Sequence, residues 1–221
     1  MSTTPQFIVI AGASGFGREV QWLAEQIAES RGGIPLAECF VDDDARRIGT
    51  MVNGLRVKTL EQAHADHADA ALAIAIGSSA LREDVARRAA ALGASFVTLV
   101  HPRVERSKWI EIGEGTIICA GCILTTNIRI GAHVHINLDC TIGHDVVVDD
   151  FVTLAPGVHV SGNVRIEAGA YIGTGAAIIN GREGEPLVIG ANSVIGAGAC
   201  VTRNVAAGTT AVGVPAKERV K

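Results

Sequence analysis

Two adjacent residues, His144 and Asp145, carry the sharpest chemical signal in the chain. A histidine can accept a proton from an attacking group near neutral pH and return it later. A carboxylate beside it favours the imidazolium that forms. The same dipeptide can equally be an ordinary exposed turn. A second constellation opens the chain, where Phe7-Ile8-Val9-Ile10 runs into Gly12-Ala13-Ser14-Gly15-Phe16-Gly17. A glycine turn between a strand and a helix offers backbone N–H groups and a positive helix end to a phosphate. The order is G-x-x-G-x-G, not the dinucleotide order G-x-G-x-x-G, so the turn reads as a general phosphate cradle or as close packing alone. Asp42 and Asp43 close the next apolar run and can contact a polar ligand or simply form a turn. Cys119-Ala120-Gly121-Cys122 has metal-motif spacing, but no second cysteine pair follows at zinc-ribbon distance. Structural cysteines and no metal are expected, with Cys119 pointing out and Cys122 pointing in.

The elements that must position these groups change character near residue 101. Before it, strand and helix signals alternate. Apolar Val20, Leu23, Ala24 and Ile27 predict a helix over 17–30, and Cys39-Phe40-Val41 predicts a strand. Ala71 to Ile76 reads as a buried strand, followed by a helix over 80–92 that Gly93 stops. Phe96 to Val100 gives another strand. Such alternation implies a parallel sheet with helices on its faces.

After His101-Pro102 an aliphatic residue recurs at every sixth position from Ile112 to Ile178, by way of Ile118, Leu124, Ile130, Ile136 and Ile142. The position four later is usually small or β-branched. The period slips at the polar stretch 181–186 and resumes at Ile189, Ile195 and Val201. A period of six is neither helical nor a plain amphipathic strand. It predicts a prism-shaped parallel β-helix, one hexapeptide per face and eighteen residues per coil, with aliphatic side chains stacked inward. Gly162, eighteen residues after His144, then lies directly over it. Its missing side chain leaves room for a ligand, and its N–H can face a developing oxyanion. The first coil, near Val104 and Ile110, is out of phase with the rest.

Residues 112–206 resemble the left-handed β-helix of hexapeptide acyltransferases, and Val212-Gly213-Val214-Pro215-Ala216-Lys217 resembles its usual end. From about residue 6 to 217 the chain resembles the bacterial sugar acetyltransferases of the sialic-acid and bacillosamine type. The resemblance implies a Rossmann-like nucleotide-sugar domain over 1–101 and a left-handed β-helix acetyltransferase domain over 102–221. It implies acetyl-CoA as co-substrate and a nucleotide-linked amino sugar, of the 4-amino-4,6-dideoxy type, as acceptor. His144 and Asp145 fall on the family's base histidine and the acid after it. Ser14, Gly15, Phe16, Asp42, Asp43, Gly77, Ala80 and Asn137 fall on its substrate contacts. Thr153, Thr174 and Ala197 fall on its acetyl-CoA contacts, and Gly162 joins them as an expected acetyl-CoA-side residue on its spacing alone. Histidine is common in the family where Phe16 and Thr153 stand, and the side chain at 80 is small. The resemblance further implies a homotrimer with the acetyl donor between subunits, and outward apolar residues such as Val147 fit that expectation. Two alternatives stay open on the residues: an O-acetyltransferase of a sialic-acid-like sugar, and a nucleotide-binding scaffold whose β-helix only trimerises.

Composition narrows the field. The chain has 221 residues, a net charge of −4 and only eight aromatics, five Phe, two Trp and one Tyr. Neither a broad basic footprint nor an aromatic base-stacking platform is available, so nucleic acid is not an expected partner. No apolar run approaches the ~20 residues of a membrane span. Five cysteines and no leader pattern at the first residues point to reduced thiols in the cytoplasm.

Overall fold

A computed structural model describes residues 5–33 and 36–219. The chain forms two compact units, Met1–Pro102 and Arg103–Lys221.

In the first unit β1 (Phe7–Ala11) leads through the glycine turn into α1 (Gly15–Ser30), then β2 (Leu36–Val41). The hairpin β3 (Met51–Val52) and β4 (Leu55–Lys58), α2 (Leu60–Asp66), β5 (Ala71–Ile74) and α3 (Ser79–Ala91) follow. The sheet order is β3-β4-β2-β1-β5, with β2, β1 and β5 parallel. The central strands are apolar on both faces because helices cover both: Ile8, Ile10, Phe40, Ala73 and Ile74 are fully buried. Gly17 is required by packing, since a Cβ there would collide with the Gly12 carbonyl. That contact lets α1 leave β1 with almost no intervening chain. Thr59 caps α2 in a reciprocal capping box with Gln62, and Ser78 accepts from Leu81 N–H at the start of α3. The helices begin one or two residues before their sequence-expected starts, because the turn residues Gly15 and Ser79 already adopt helical geometry.

The second unit is a three-sided parallel β-helix. On its first face Ile123–Leu124 pairs with Thr141–Ile142, then with His159–Val160 and Ala177–Ile178. On the second face Ile128–Ile130, Val147–Val148 and Val164–Ile166 stack in the same way. On the third, His135–Ile136, Thr153–Leu154 and Tyr171–Ile172 do so. Every partner is eighteen residues away. Ile118, Ile136, Leu154, Ile172 and Ile195 form one inward column with no measurable exposure. Residues four positions on, such as Cys122, Val134, Cys140, Val146 and Val158, fill the remaining interior and are also fully buried.

The structure shows how the corners form and amends two expectations. The corners are made by the residue three after each inward aliphatic. From Gly115 to Gly175 every sixth residue has φ between +53° and +78°. Glycine, Asn and Asp tolerate that region most readily. The glycines directly after the aliphatic residue serve a different purpose: at Gly143 a Cβ would fall 2.7 Å from the Gly162 nitrogen of the next coil. The first coil is present, with Glu105–Arg106 and Ile110–Ile112 paired in register to the second, although Arg106 stands exposed where later coils place a buried aliphatic residue. Cys119 is buried rather than outward, at 6% exposure.

Candidate active site

The edge between the first and second faces carries His144 and Asp145. Asp145 occupies the left-handed corner position at φ +56°, with its backbone N–H donated to the Thr126 carbonyl of the preceding coil. Its side chain therefore projects outward beside that of His144, and Nδ1 of His144 lies 2.8 Å from Asp145 Oδ2. Since an ionised carboxylate can only accept, Nδ1 carries the hydrogen and Nε2 presents its lone pair. The other carboxylate oxygen accepts from Asn127 Nδ2 at 3.2 Å. These two hydrogen bonds, the histidine's first, hold Asp145 below the ordinary carboxylate range. Both members of the pair are open to solvent, with side-chain exposures of 57% and 47%.

Gly162 stacks on this pair as its spacing predicts, but the space above it is not left for a ligand. A Cβ on Gly162 would come within 2.5 Å of both Cε1 and Nε2 of His144, so the imidazole itself fills the gap. The glycine allows the outer end of the ring to rest against the next coil. Beside Asp145 and Asn127 opens a groove of about 450 Å³, walled by Trp109, Lys108, Arg129 and Val147. The Lys108 ammonium lies 4.9 Å from the centre of the Trp109 ring. Val147 pairs with Arg129 on one side and Arg165 on the other, so its outward column is mixed in character and not a continuous apolar stripe.

The other β-helix residues singled out from the sequence lie on a different edge, between the third and first faces. Asn137 is 9% exposed there and donates from Nδ2 to the Leu154 carbonyl at 3.0 Å. Thr174 and Ala197 are exposed on successive coils, the Thr174 carbonyl accepting from Gly198 N–H. Thr153 and His135 pair on the third face and are buried, at 3% and 1%, so neither lines an open cleft. His159 is exposed with Nδ1 2.9 Å from Thr141 Oγ1. Cys122 and Cys140 place their thiols on the Asn137 and Ala155 carbonyls inside the prism.

In the first unit the strand ends form a pocket of about 300 Å³. Ser14, Asp42, Asp43 and Gly77 all line it, together with Arg88. Ser14 stands at the N-cap of α1 but its hydroxyl makes no capping bond, and the first turn carries no acidic side chain. Gly15 and Phe16 begin the helix, and Ala80 is exposed in the first turn of α3. The two acids divide their roles. Asp42 accepts from the backbone N–H of Ala13 at 3.3 Å and of Asp44 at 2.9 Å, tying β2 to the glycine turn. Asp43 takes a two-point contact from Arg88, at 2.7 and 3.1 Å, which holds its carboxyl below the usual range. Arg82, fully buried, donates to the Ile76 and Gly77 carbonyls at 2.7 and 3.3 Å and so fixes the loop that carries Gly77. Burial pulls its guanidinium down to about 10.

Arg82, Arg88 and Asn127 escaped the sequence reading. The first two meet their partners only through the packing of α3 against the sheet. Asn127 had a signal: it lies eighteen residues before Asp145, one coil below.

Comparison with known proteins bears on this geometry. Residues 7–89 match the PglD N-terminal domain family. Over 210 residues the chain is 37% identical to the GDP-perosamine N-acetyltransferase of Escherichia coli O157:H7, covering 95% of this chain and 94% of the relative. The chain belongs to this family of bacterial sugar acetyltransferases. Among solved structures, WeeI from Acinetobacter baumannii AYE is 37% identical with a TM-score of 0.89, covering 96% of this chain and 100% of that one. A histidine-to-asparagine mutant of perosamine N-acetyltransferase from Caulobacter crescentus, in complex with CoA and GDP-perosamine, is 28% identical with a TM-score of 0.84 over 97% of each chain. The architecture is the family's: a Rossmann-like sheet unit followed by a left-handed β-helix. Among the described residues no helix is long and apolar enough to cross a membrane.

Proposed function

We propose that the protein transfers the acetyl group of acetyl-CoA to the amino group of a nucleotide-linked 4-amino-4,6-dideoxy sugar, with GDP-perosamine the first substrate to test. The observation that carries this reading is the His144–Asp145 pair, with Nδ1 committed to the carboxylate and the ring exposed along the edge of the β-helix. The relatives named for N-acetylation of GDP-perosamine support the substrate class.

The amine lone pair attacks the thioester carbonyl and a C–N bond forms. Nε2 of His144 takes the proton that the nitrogen sheds, and Asp145 stabilises the resulting imidazolium. The backbone N–H of Gly162 is our candidate donor to the oxyanion. When the tetrahedral intermediate collapses the C–S bond breaks, and the departing thiolate of CoA receives the proton from the imidazolium. No covalent enzyme intermediate is required.

We assign the nucleotide to residues 1–101 and the transfer chemistry to 102–221. Ser14, Gly15 and Phe16 at the start of α1 would meet the diphosphate, which a helix N-terminus favours. Asp42, Asp43, Gly77 and Ala80 would surround the rest of the nucleotide. Thr174, Ala197 and the Gly162 N–H are assigned to acetyl-CoA and Asn137 to the sugar, while the buried Thr153 side chain is left to packing. Thr174, Ala197 and Asn137 stand on a different edge from His144, so we infer that a homotrimer completes the site by bringing the edge of one copy to that of the next. Free cysteines at 39, 119, 122, 140 and 200 support a cytoplasmic location.

Release of CoA, followed with a thiol reagent, tests the reading. GDP-perosamine should be turned over, while sialic acids and acceptor-free mixtures should give background. Turnover of hydroxyl acceptors alone, or of none, would overturn it. Light scattering that finds an active monomer would overturn the trimer.

A further inference from the structure

Asn127 stands at the same corner as Asp145, one coil below, and both take the left-handed conformation, at φ +54° and +56°. The corner ladder that relates them is firm: Asp145 N–H donates to Thr126 O at 3.2 Å, and Asn163 N–H in the next coil donates to His144 O at 2.9 Å. The Asn127 amide therefore faces Asp145 Oδ1 by the register of the fold. Its orientation follows from chemistry as well, since only the NH2 end can donate to a carboxylate, at 3.2 Å, and the Oδ1 end faces the Thr126 hydroxyl at 3.5 Å. Asp145 is thus held at both oxygens, by Asn127 on Oδ1 and by His144 on Oδ2.

We propose that Asn127 is a positioning residue for the transfer reaction, a neutral donor that locks the Asp145 carboxylate in the plane where it orients and supports the His144 base. The inference rests on the reading of His144 as that base. The physical case lies in exposure and charge. An aspartate at an exposed corner samples several rotamers, and water competes for both its oxygens. A second donor removes that freedom. A lysine or arginine in the same place would also hold the carboxylate, but its charge would cancel the field that favours the imidazolium. An amide orients without neutralising. The charged groups around the neighbouring groove are Lys108, Glu111 and Arg129, and none has a hydrogen bond or ion pair to Asp145 among the described residues.

The test compares three variants of the full-length protein. Asn127→Gly suits the left-handed backbone and removes only the amide. Asn127→Asp keeps the shape but sets a second carboxylate against the first. Asn127→His retains a donor. Asn127→Gly should lower kcat about two- to tenfold with KM for both substrates within twofold. Asn127→Asp should lower it further, and Asn127→His should recover part of the loss. Carboxyl NMR should show Asp145 titrating higher in Asn127→Gly than in the parent, a change that a purely structural corner would not produce. Wild-type kcat in folded Asn127→Gly, or an unmoved Asp145 titration, would overturn the proposal. His144→Ala in parallel separates the two failures. If it is inactive while Asn127→Gly is normal, only the positioning role falls; if it keeps full turnover, the base assignment falls first.

Discussion

Two histidines of the β-helix lie against a glycine one coil away, and their surroundings are opposite in kind. The ring of His144 rests on Gly162 and that of His133 on Gly115, each eighteen residues distant. His133 itself takes the left-handed φ of +53°, is 6% exposed, and stacks on Phe151 with centroids 5.1 Å apart and planes at 12°. His144 stands one residue before the left-handed position, which Asp145 fills. Its ring lies at the solvent edge with a carboxylate on Nδ1. The bare backbone of a glycine accommodates an imidazole equally well in both places. One step along the hexad decides whether the ring is packed away or stands open to solvent.

The largest expected effect separates the two directly. His144→Ala should lower kcat by about 10²–10⁴-fold with little change in Tm. Near-normal turnover in the folded variant would erase the functional difference between the two histidines. Gly162→Ala should displace the His144 ring, and a misplacement of about 1 Å can cost roughly a hundredfold in rate. Combining it with His144→Ala should add almost nothing, because both act through one group; additive losses would show that the glycine acts separately.

The first unit supplies a contrast that neither histidine should feel. Replacing Asp42 and Asp43 by alanine should weaken GDP binding about ten- to a hundredfold by calorimetry and leave acetyl-CoA binding unchanged. Equal GDP affinity in variant and parent would take both acids out of the site. His133→Ala should unfold more easily by about 2 kcal/mol while folded protein keeps its kcat. A catalytic defect there would blur the distinction between packing and chemistry. The smallest effect concerns Asp43, whose carboxyl Arg88 holds below its ordinary pKa. A depressed carboxylate contributes stability above its unfolded pKa and loses it as pH falls through the folded value. The pair is exposed, so denaturant titrations at about pH 7 and about pH 3 should differ through it by no more than ~1 kcal/mol, and Arg88→Ala should remove that difference.

Much of the fold was legible because the repeat is itself a physical statement. A residue that recurs every six positions takes the equivalent inward place on each successive face of the prism and returns to the same face every eighteen, and Ile118 through Ile178 do. The break at 181–186 was legible for the same reason. Cys119 was misread because the position one after the aliphatic is buried on this edge, at Cys119, Asn137 and Ala155 alike, which a two-way alternation of inward and outward does not describe. The room above Gly162 was misread because a stacking register states which residues are neighbours and is silent on which side chain fills the space between them. Asp42 and Asp43 were legible as a pair, but their partners on the Ala13 backbone and on Arg88 depend on where α3 and the turn come to rest.

The amino-acid sequence by itself determined the two-part organisation, the prism and its inward columns, the glycine turn at the start of α1, and the His144-Asp145 dipeptide, because each is written in local pattern or in a constant period. Only the tertiary structure decided that the imidazole rests against Gly162, that Asn127 grips the far oxygen of Asp145, and that Asn137, Thr174 and Ala197 stand on another edge from His144. Those facts turn on side-chain direction at corners. A corner's direction is set by the left-handed residue and by the coil stacked against it, neither of which a linear pattern of hydrophobicity encodes.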